Sequence, residues 1–344
     1  MVNKADYPRN GNSENPSSSG NRTSENSSFS SIYSALGYSD SISIIIYRYL
    51  SISNTGNTYK PACQIYIGEN MKILECNTID IAPTISRLLK IPMVPPTGRP
   101  IPEVESYAKE RGCKRAVIIV VDSLGYSLYN YFSPIMKNLN KIAEKGLLFR
   151  CKSPATITSP AIASIFTGYL PEEHNIYSTA DIYTERTKDS ENPKLKSIME
   201  WAYRSGMKAS AVIESEGAES FRGRIKNFYG VPDSEDILDY DHHITNYALR
   251  ALEENPDILA VHLRTLDRFS HRAESWKELE KAAKSVDENL GEIYRHAEKG
   301  TIFFICGDHT IHGGKKWLKG AEGEHIKNYR QNFVALIVAC NKEA

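Results

Sequence analysis

The sequence predicts an α/β fold, a three-layer αβα sandwich with a mostly parallel central sheet, and two observations carry this prediction. Five apolar runs are nearly continuous, which is typical of strands buried on both faces. Amphipathic segments lie between these runs, and such alternation places helices on both faces of one sheet. The apolar runs are Ala116–Asp122, Lys208–Glu214, Asp257–Leu263, Thr301–Asp308 and Asn332–Cys340. The amphipathic segments are Ser133–Lys145, Lys194–Ser205, His242–Glu254 and Trp276–Lys299.

The composition is that of a soluble globular protein, with 41% hydrophobic and 24% charged residues in a chain of 344. Lys plus Arg and Asp plus Glu both number 42, so the formal net charge is zero. This balance gives no overall attraction to nucleic acid or to an anionic membrane, and we predict neither as a partner. The apolar run "ISIIIYRYL" is too short for a membrane span and contains Arg48. The oligomeric state stays open.

The six cysteines are scattered along the chain and include no CxxC pair. Cys306 and Cys340 lie in apolar runs that read as strands. This usage favours reduced, mostly buried thiols over disulfides, and it predicts a reducing compartment and a cytoplasmic location.

The domain organisation changes near Met71. Residues 1–31 are rich in Ser, Asn and Gly, and we predict that 1–70 is a disordered or mis-called extension. Residues 71–344 are predicted to form one catalytic domain. A small cap insert is expected around 179–241, from Thr179–Lys194 and Glu214–Asp241.

Metal-type ligands follow several predicted strands, at the edge where parallel sheets collect function. Each has a plain structural alternative, such as a helix cap or a surface pair on a helix. Together, however, three carboxylates and three imidazoles at one edge need compensating cations, and mixed Asp/His sets suit Zn²⁺ or Mn²⁺. A hydroxyl is added by Thr158, which precedes Pro160 where a helix N-terminus favours an anion. The ligands are Asp122, Asp267, His271, Asp308, His309 and His325.

The sequences and order of these segments resemble those of the alkaline phosphatase superfamily, and most closely those of its type I phosphodiesterase/nucleotide pyrophosphatase branch. The matching segments are "VIIVVDSLGY", "GLLFRCKSPATITSPAIASIFTGYLPEEHNIYS", "LRTLDRFSHR", "FFICGDHTIHGG" and "GEH". The resemblance implies an alkaline phosphatase-like fold and two divalent metal ions. One ion is expected at Asp122, Thr158, Asp308 and His309, and the other at Asp267, His271 and His325.

The same segments discriminate within the superfamily. Sulfatases carry a Cys or Ser that becomes formylglycine, followed by Pro and Arg, whereas this chain has Thr158 and Ile162 at those positions. The threonine favours the diesterase branch. Two departures concern the substrate: Ala161 stands where many diesterases have Asn, and Ser270 replaces the Gly usual before the D-x-x-x-H histidine.

The predicted function is therefore metal-dependent hydrolysis of a small phosphorylated substrate, with Thr158 as nucleophile and a phosphothreonine intermediate. A phosphodiesterase or nucleotide pyrophosphatase fits the resemblance best. The alternatives are a phosphomonoesterase, a phosphonate hydrolase or a phosphomutase on the same site. A metal-binding or ligand-sensing relative without turnover, and a structural partner protein, are the alternatives from other classes.

The segment "NTIDIAPTISRLLKIPMVPPTGRPI" (77–101) has the pattern of an amphipathic helix over Ile81–Lys90. It resembles the C-terminal segment of the superfamily, yet it precedes the first strong strand. Only Asn341–Ala344 follow the last predicted strand. We therefore predict a circular permutation, in which Cys76–Leu89 packs near Asn332–Ala344 within one domain.

Overall fold

An eight-stranded sheet runs through the part of the chain that the computed structural model describes, residues 74–311 and 332–342. The strand order is β1-β3-β8-β7-β2-β6-β4-β5, and β8 alone among them runs antiparallel to its neighbours. The predicted α/β fold with a mostly parallel sheet is confirmed. The strands are β1 (Leu74–Asn77), β2 (Arg115–Val121), β3 (Leu147–Lys152), β4 (Ala209–Glu214), β5 (Asn227–Val231), β6 (Ile258–Leu263), β7 (Thr301–Gly307) and β8 (Phe333–Cys340).

Helices cover both faces of this sheet. They are α1 (Ile81–Leu89), α2 (Pro102–Arg111), α3 (Tyr126–Phe132), α4 (Lys137–Glu144), α5 (Thr158–Thr167), α6 (Pro171–His174), α7 (Thr179–Lys188), α8 (Ile198–Arg204), α9 (Ser215–Glu219), α10 (Ile237–Glu253), α11 (Thr265–Arg272) and α12 (Trp276–His296). Two short 3-10 turns, Thr78–Asp80 and Pro193–Leu195, accompany them. Within 74–311 and 332–342, none of these helices has the length and apolar composition needed to cross a bilayer.

The central strand β2 shows why its sequence is continuously apolar. Val117, Ile119 and Val121 belong to one buried core, which they share with α3, α4, α10 and α12. Ile118 and Val120 belong to a second core on the other face, with α1, α2, α5 and α8. Because successive side chains of a strand point to opposite faces, a strand covered on both sides has no polar face to alternate with.

All five predicted strands are present within a residue or two of their expected bounds. The strands that the sequence did not predict are β1, β3 and β5. Each is short and mostly half-buried or exposed: β1 has no buried position, β3 has two and β5 has one. Neither a continuous apolar run nor a long alternation marks them, so their sequences resemble loops.

The expectation of reduced thiols is wrong for two cysteines. Cys76 on β1 and Cys151 on β3 form a disulfide, with their Cα atoms 4.7 Å apart. The cause is the register of the parallel pair β1–β3, which places these two residues directly opposite each other. Because neither strand was predicted, this proximity was not visible in the sequence. With this disulfide, cysteine usage no longer favours a reducing compartment. Cys113, Cys306 and Cys340 are free thiols, as expected.

The segment expected to form a cap divides into two parts. Residues 227–231 form β5, the edge strand of the sheet beside β4, and so they belong to the core fold. Helix α7, with no buried residue in its sequence, lies outside the sheet and lines a cavity with α5. The cap insert itself stays a prediction.

The N-terminal helix α1 lies in the same domain as the last strand. Ile81 and Ile85 are fully buried in the core that also contains Val334 and Leu336 of β8. The helix ends at Lys90, whose φ of 56° is left-handed. Strand β1, just before α1, is separated from β8 by β3 alone. This placement is the one that the permutation requires, but the permutation itself stays a prediction.

His174 provides a stability prediction away from the sheet edge. Its Nδ1 accepts from the Ile176 N–H at 3.0 Å, and its Nε2 lies 3.0 Å from the Ser164 hydroxyl. Burial lowers the pKa of His174 to about 4 because it disfavours the charged imidazolium. In addition, a proton on Nδ1 would face the Ile176 N–H. The native state therefore binds fewer protons than the unfolded chain between pH 6.5 and 4, and stability is lost as the pH falls through this window.

Between pH 7 and pH 4, we expect the free energy of unfolding to fall by up to roughly 3 kcal/mol more in wild type than in His174→Gln. Urea unfolding of both proteins at several pH values measures this difference. Parallel pH profiles for the two proteins would contradict the prediction.

Candidate active site

The predicted site residues gather at the carboxyl ends of three adjacent strands, β7, β2 and β6. Asp122 follows β2 directly, and Asp308 follows β7. Asp267 lies on α11, the helix that begins two residues after β6. All three carboxylates are buried, with relative exposures of 1%, 0% and 7% respectively. Three buried acids at one edge require compensating positive charge or hydrogen bonds.

The imidazole of His309 is the hub of the site. Its Nδ1 lies 3.0 Å from the Thr310 carbonyl oxygen, which fixes that nitrogen as a donor. Its Nε2 lies 3.1 Å from the Thr158 hydroxyl, 3.3 Å from Asp122 Oδ1 and 3.4 Å from Asp308 Oδ2. The structure thus brings together the four side chains that the resemblance assigns to one metal ion.

Thr158 is the first residue of α5, so the helix begins two positions before Pro160, where the sequence predicts its first residue. The preceding residue, Ile157, is extended, and the hydroxyl of Thr158 meets His309 across the edge of the sheet. The side chain therefore combines a helix N-terminus, which favours an anion, with direct contact to the carboxylate and imidazole cluster.

Ser123 ties the two halves of the site together, and sequence reasoning did not single it out. Its φ of 66° is left-handed, which is uncommon for a serine. In this conformation its N–H donates to Asp308 Oδ1 at 2.9 Å, and its hydroxyl donates to Asp267 Oδ1 at 2.6 Å. The strained turn after β2 therefore positions carboxylates from two other strands.

The second predicted ligand set is only partly described. His271 Nε2 lies 3.2 Å from Asp267 Oδ2, one helical turn away on α11, and its side chain is 42% exposed. His325 lies outside the described residues. A group of ligand atoms from Asp122, Asp267 and His309 lies within 4.8 Å, so the Asp267 pair adjoins the His309 cluster.

In the metal-free protein, burial and mutual charge shift the pKa values of Asp122, Asp308 and His309. Burial and the neighbouring charge of Asp122 raise the pKa of Asp308 to about 7. Burial also opposes ionisation of Asp122, but His262 and His309 outweigh it and lower the pKa of that carboxyl. Burial lowers the pKa of His309, yet the charges of Asp308 and Asp122 prevail and raise it to about 9.

His262 and Glu214 are further members of the site, and the sequence analysis passed over both. His262 is the one polar side chain in the apolar strand β6, and Glu214 ends the neighbouring strand β4. His262 Nδ1 lies 3.1 Å from Glu214 Oε2, and its Nε2 lies 3.6 Å from Asp122 Oδ2. The signal that could have identified them is their position, since each is a charged or imidazole side chain near the carboxyl end of an apolar strand.

The donor set fits a divalent metal ion. Two ligands bound at about 2.1 Å with tetrahedral angles are separated by about 3.4 Å. The Nε2 of His309 lies 3.3 and 3.4 Å from the oxygens of Asp122 and Asp308, which matches this spacing. In addition, Asp122 Oδ1 and Asp308 Oδ2 are buried without a hydrogen-bond partner in the described part of the chain. Buried carboxylate oxygens in this state suit a cation.

A cavity of about 80 Å³ opens beside Thr158, lined by α5 and α7. Its walls are mainly apolar and include Ile162, Phe166 and Phe221. Glu214 and His262 provide polar groups in the lining. An apolar surface next to the Thr158 hydroxyl suits the carbon part of a ligand, because transfer of apolar surface from water is favourable.

The family model described as "Type I phosphodiesterase / nucleotide pyrophosphatase" matches residues 116–327, well over half of the chain. The matched range contains every site residue named above. No curated protein sequence matches the chain significantly.

Several solved structures resemble this fold at low sequence identity. One is a protein in the alkaline phosphatase superfamily from Vibrio parahaemolyticus, with 15% identity and a TM-score of 0.47 over 67% of this chain and 61% of that one. Phosphonoacetate hydrolase from Sinorhizobium meliloti 1021 has 18% identity and a TM-score of 0.40, over 58% of this chain and 57% of that one. A lipoteichoic acid synthase from Listeria monocytogenes has 12% identity and a TM-score of 0.46, over 75% and 71%. The chain thus spans less than two thirds of the first two.

Proposed function

Because the chain belongs to the type I phosphodiesterase/nucleotide pyrophosphatase family, we propose that it hydrolyses phosphate esters, most specifically diesters, with Thr158 as the nucleophile. The observation that carries the proposal is the 3.1 Å contact between the Thr158 hydroxyl and His309 Nε2, beside two buried carboxylates. A hydroxyl at a helix N-terminus, next to a cation-binding cluster, is positioned for attack on an anionic phosphorus centre.

The proposed metal ligands are the side chains that the family pattern and the geometry share. Asp122, Asp308 and His309 would hold one ion beside Thr158, and Asp267 and His271 would hold its partner. His325, which lies outside the described residues, joins that second set on the family pattern alone. When bound, such ions stabilise an alkoxide and the charge on phosphoryl oxygens. Zn²⁺ and Mn²⁺ both suit this set of nitrogen and oxygen donors.

The residues of the chain account for two bond exchanges. The Thr158 hydroxyl loses its proton as its oxygen attacks phosphorus, the P–O bond to the leaving group breaks, and the released alcohol takes up a proton. A water molecule then breaks the new bond between phosphorus and Thr158, and the hydroxyl is restored. Thr158 opens α5, and backbone N–H groups at a helix N-terminus favour the phosphoryl oxygens of a substrate.

The family also admits other phosphorus substrates. A phosphomonoesterase, a phosphonate hydrolase or a phosphomutase would use the same nucleophile and ions. In addition, Ala161 stands where many diesterases have Asn, so this chain lacks that amide. The apolar cavity beside Thr158 supports an ester with a carbon-rich organic group, which the monoester alternatives also allow. A relative that binds metal without turnover is the alternative from another class.

The assay that tests this function uses a chromogenic diester and its matched monoester, each with and without chelator. We expect turnover of the diester that is lost on chelation and restored by added Zn²⁺ or Mn²⁺, because the nucleophile needs a bound cation. Preference for the monoester would replace the diester proposal with the phosphomonoesterase. Absence of turnover with every substrate and metal, in protein that still binds metal, would favour the non-catalytic alternative.

A further inference from the structure

The imidazole of His262 is buried, and its outer ring nitrogen, Nε2, has no hydrogen-bond partner in the described part of the chain. The residue is 1% exposed and lies in the sequence Ile258–Leu263, between valine and leucine. Its Nε2 has no hydrogen-bond partner among residues 74–311 and 332–342. A buried polar nitrogen without a partner costs on the order of 1–3 kcal/mol, so this atom needs an explanation.

The inner nitrogen shows how the ring is oriented. His262 Nδ1 lies 3.1 Å from Glu214 Oε2, and a carboxylate accepts a hydrogen bond. This assignment makes Nδ1 the donor and leaves the lone pair of the neutral ring on Nε2. Metal-binding histidines have this same arrangement, since their other ring nitrogen almost always donates to a carboxylate, a carbonyl or water.

Two buried carboxylates lie near the outer nitrogen of the ring. Asp122 Oδ2 lies 3.6 Å from His262 Nε2. Ligand atoms from Asp122, His262 and Asp308 all lie within 4.8 Å of one another, and all three residues are buried. Oδ1 of Asp122 and Oδ2 of Asp308 also have no hydrogen-bond partner within the described ranges. Three buried residues thus bring ligand atoms within reach of one ion, and one of these atoms, His262 Nε2, has no hydrogen-bond partner in the described part of the chain.

We infer that His262 is a metal ligand, and that it binds a divalent transition-metal ion together with Asp122 and Asp308, with Glu214 as the carboxylate that orients the ring. These three residues form a second group of ligand atoms, beside the group from Asp122, Asp267 and His309, and Asp122 and Asp308 are also proposed ligands of the ion beside Thr158. Asp122 is common to both, and its two oxygens face different histidines, Oδ1 facing His309 and Oδ2 facing His262. The inference requires that the site binds metal, but not that it hydrolyses a phosphate ester.

The plain alternative is a structural ion pair between His262 and Asp122. An ion pair of that kind would satisfy Nε2 with a hydrogen bond, whereas Asp122 Oδ2 lies 3.6 Å away and Nε2 has no hydrogen-bond partner within the described ranges. A bound cation would satisfy Nε2, with Asp122 and Asp308 as its other ligands.

The decisive experiment replaces the ligand with one that has its own optical signature. His262→Cys is purified as the full chain, freed of metal with a chelator and titrated with Co²⁺ while the absorption spectrum is recorded. A thiolate in the coordination shell of Co²⁺ produces an intense sulfur-to-metal charge-transfer band in the near ultraviolet, and soft thiolates bind such ions well. We expect this band in His262→Cys and not in wild type, whose free cysteines serve as the internal control.

Affinity measurements complete the test. We expect His262→Gln to bind Co²⁺ and Zn²⁺ with at least 100-fold lower affinity, or with one ion fewer per chain, and Glu214→Gln to lose about 10–100-fold. The matched control is His243→Gln, because His243 makes an exposed pair with Asp239 on α10 and should bind metal as wild type does. Circular dichroism establishes that each variant is folded.

The outcomes separate this inference from the proposed function. Wild type that binds Co²⁺, with no new band in folded His262→Cys and unchanged affinity in Glu214→Gln, overturns the inference and leaves the proposed function intact. Wild type that binds neither Co²⁺ nor Zn²⁺ overturns both. If His262→Gln and His262→Cys do not fold, Glu214→Gln decides the matter, since unchanged affinity there is incompatible with its role.

Discussion

Thr158→Ala is expected to lose at least about 1,000-fold in kcat on any ester that wild type turns over, while its metal content stays nearly that of wild type. The loss follows because the hydroxyl that lies 3.1 Å from His309 Nε2 is the atom proposed to bond to phosphorus. The metal stays because the buried carboxylates and imidazoles remain in place and supply most of the ligands. Steady-state kinetics and elemental analysis on the same preparation measure the two effects.

The matched control is Thr184→Ala. Thr184 is an exposed threonine of α7 whose hydroxyl donates to the Ala180 carbonyl, and we expect wild-type kcat for this variant. A second readout is direct, because acid quenching of wild type during turnover should trap a phosphate on Thr158, which peptide mass spectrometry locates. Turnover of Thr158→Ala within about tenfold of wild type would reject Thr158 as the nucleophile.

The parts of this site that were predictable share a physical property. Asp122, Asp308 and Thr158 follow strong apolar runs or open a helix, so local pattern and topology placed them at one edge of the sheet. His309 follows Asp308 directly and was found with it. The fold was predictable for the same reason, since strands covered on both faces leave a continuous apolar signature.

The parts that were not predictable depend on contacts between distant segments. The role of His262 depends on Glu214 from another strand and on Asp122 from a third, and nothing in the sequence around it indicates either neighbour. The disulfide between Cys76 and Cys151 depends likewise on the register of two strands that were too short to recognise. Ser123 has a left-handed backbone that no local residue pattern requires.

Asp308→Asn is expected to have opposite effects on function and on the stability of the metal-free protein. The side chain is fully buried, and its Oδ1 accepts hydrogen bonds from the N–H groups of Ser123 and His309 at 2.9 and 2.8 Å. An asparagine oxygen can accept both bonds. The substitution removes one of two neighbouring buried carboxylates, whose proximity, after burial itself, raises the pKa of Asp308 to about 7.

We therefore expect the free energy of unfolding at pH 8, without metal, to be a few kcal/mol higher for Asp308→Asn than for wild type. Added Zn²⁺ should raise the melting temperature of wild type, because a ligand that binds only the native state stabilises it. It should raise that of Asp308→Asn far less, since one charged ligand is lost. Turnover should be lost with the metal.

Thermal and urea unfolding of both proteins, each with chelator and with excess Zn²⁺, measure all four states. Asp239→Asn is the matched control, because Asp239 is an exposed carboxylate on α10 whose neutralisation leaves the site unchanged. An Asp308→Asn protein that is less stable than wild type without metal would show that the buried carboxylate is satisfied by the protein alone. An equal gain from Zn²⁺ in both proteins would show that Asp308 does not bind the ion. If both expectations hold, the burial of two adjacent carboxylates is a cost in stability that the chain accepts in order to hold a cation beside Thr158.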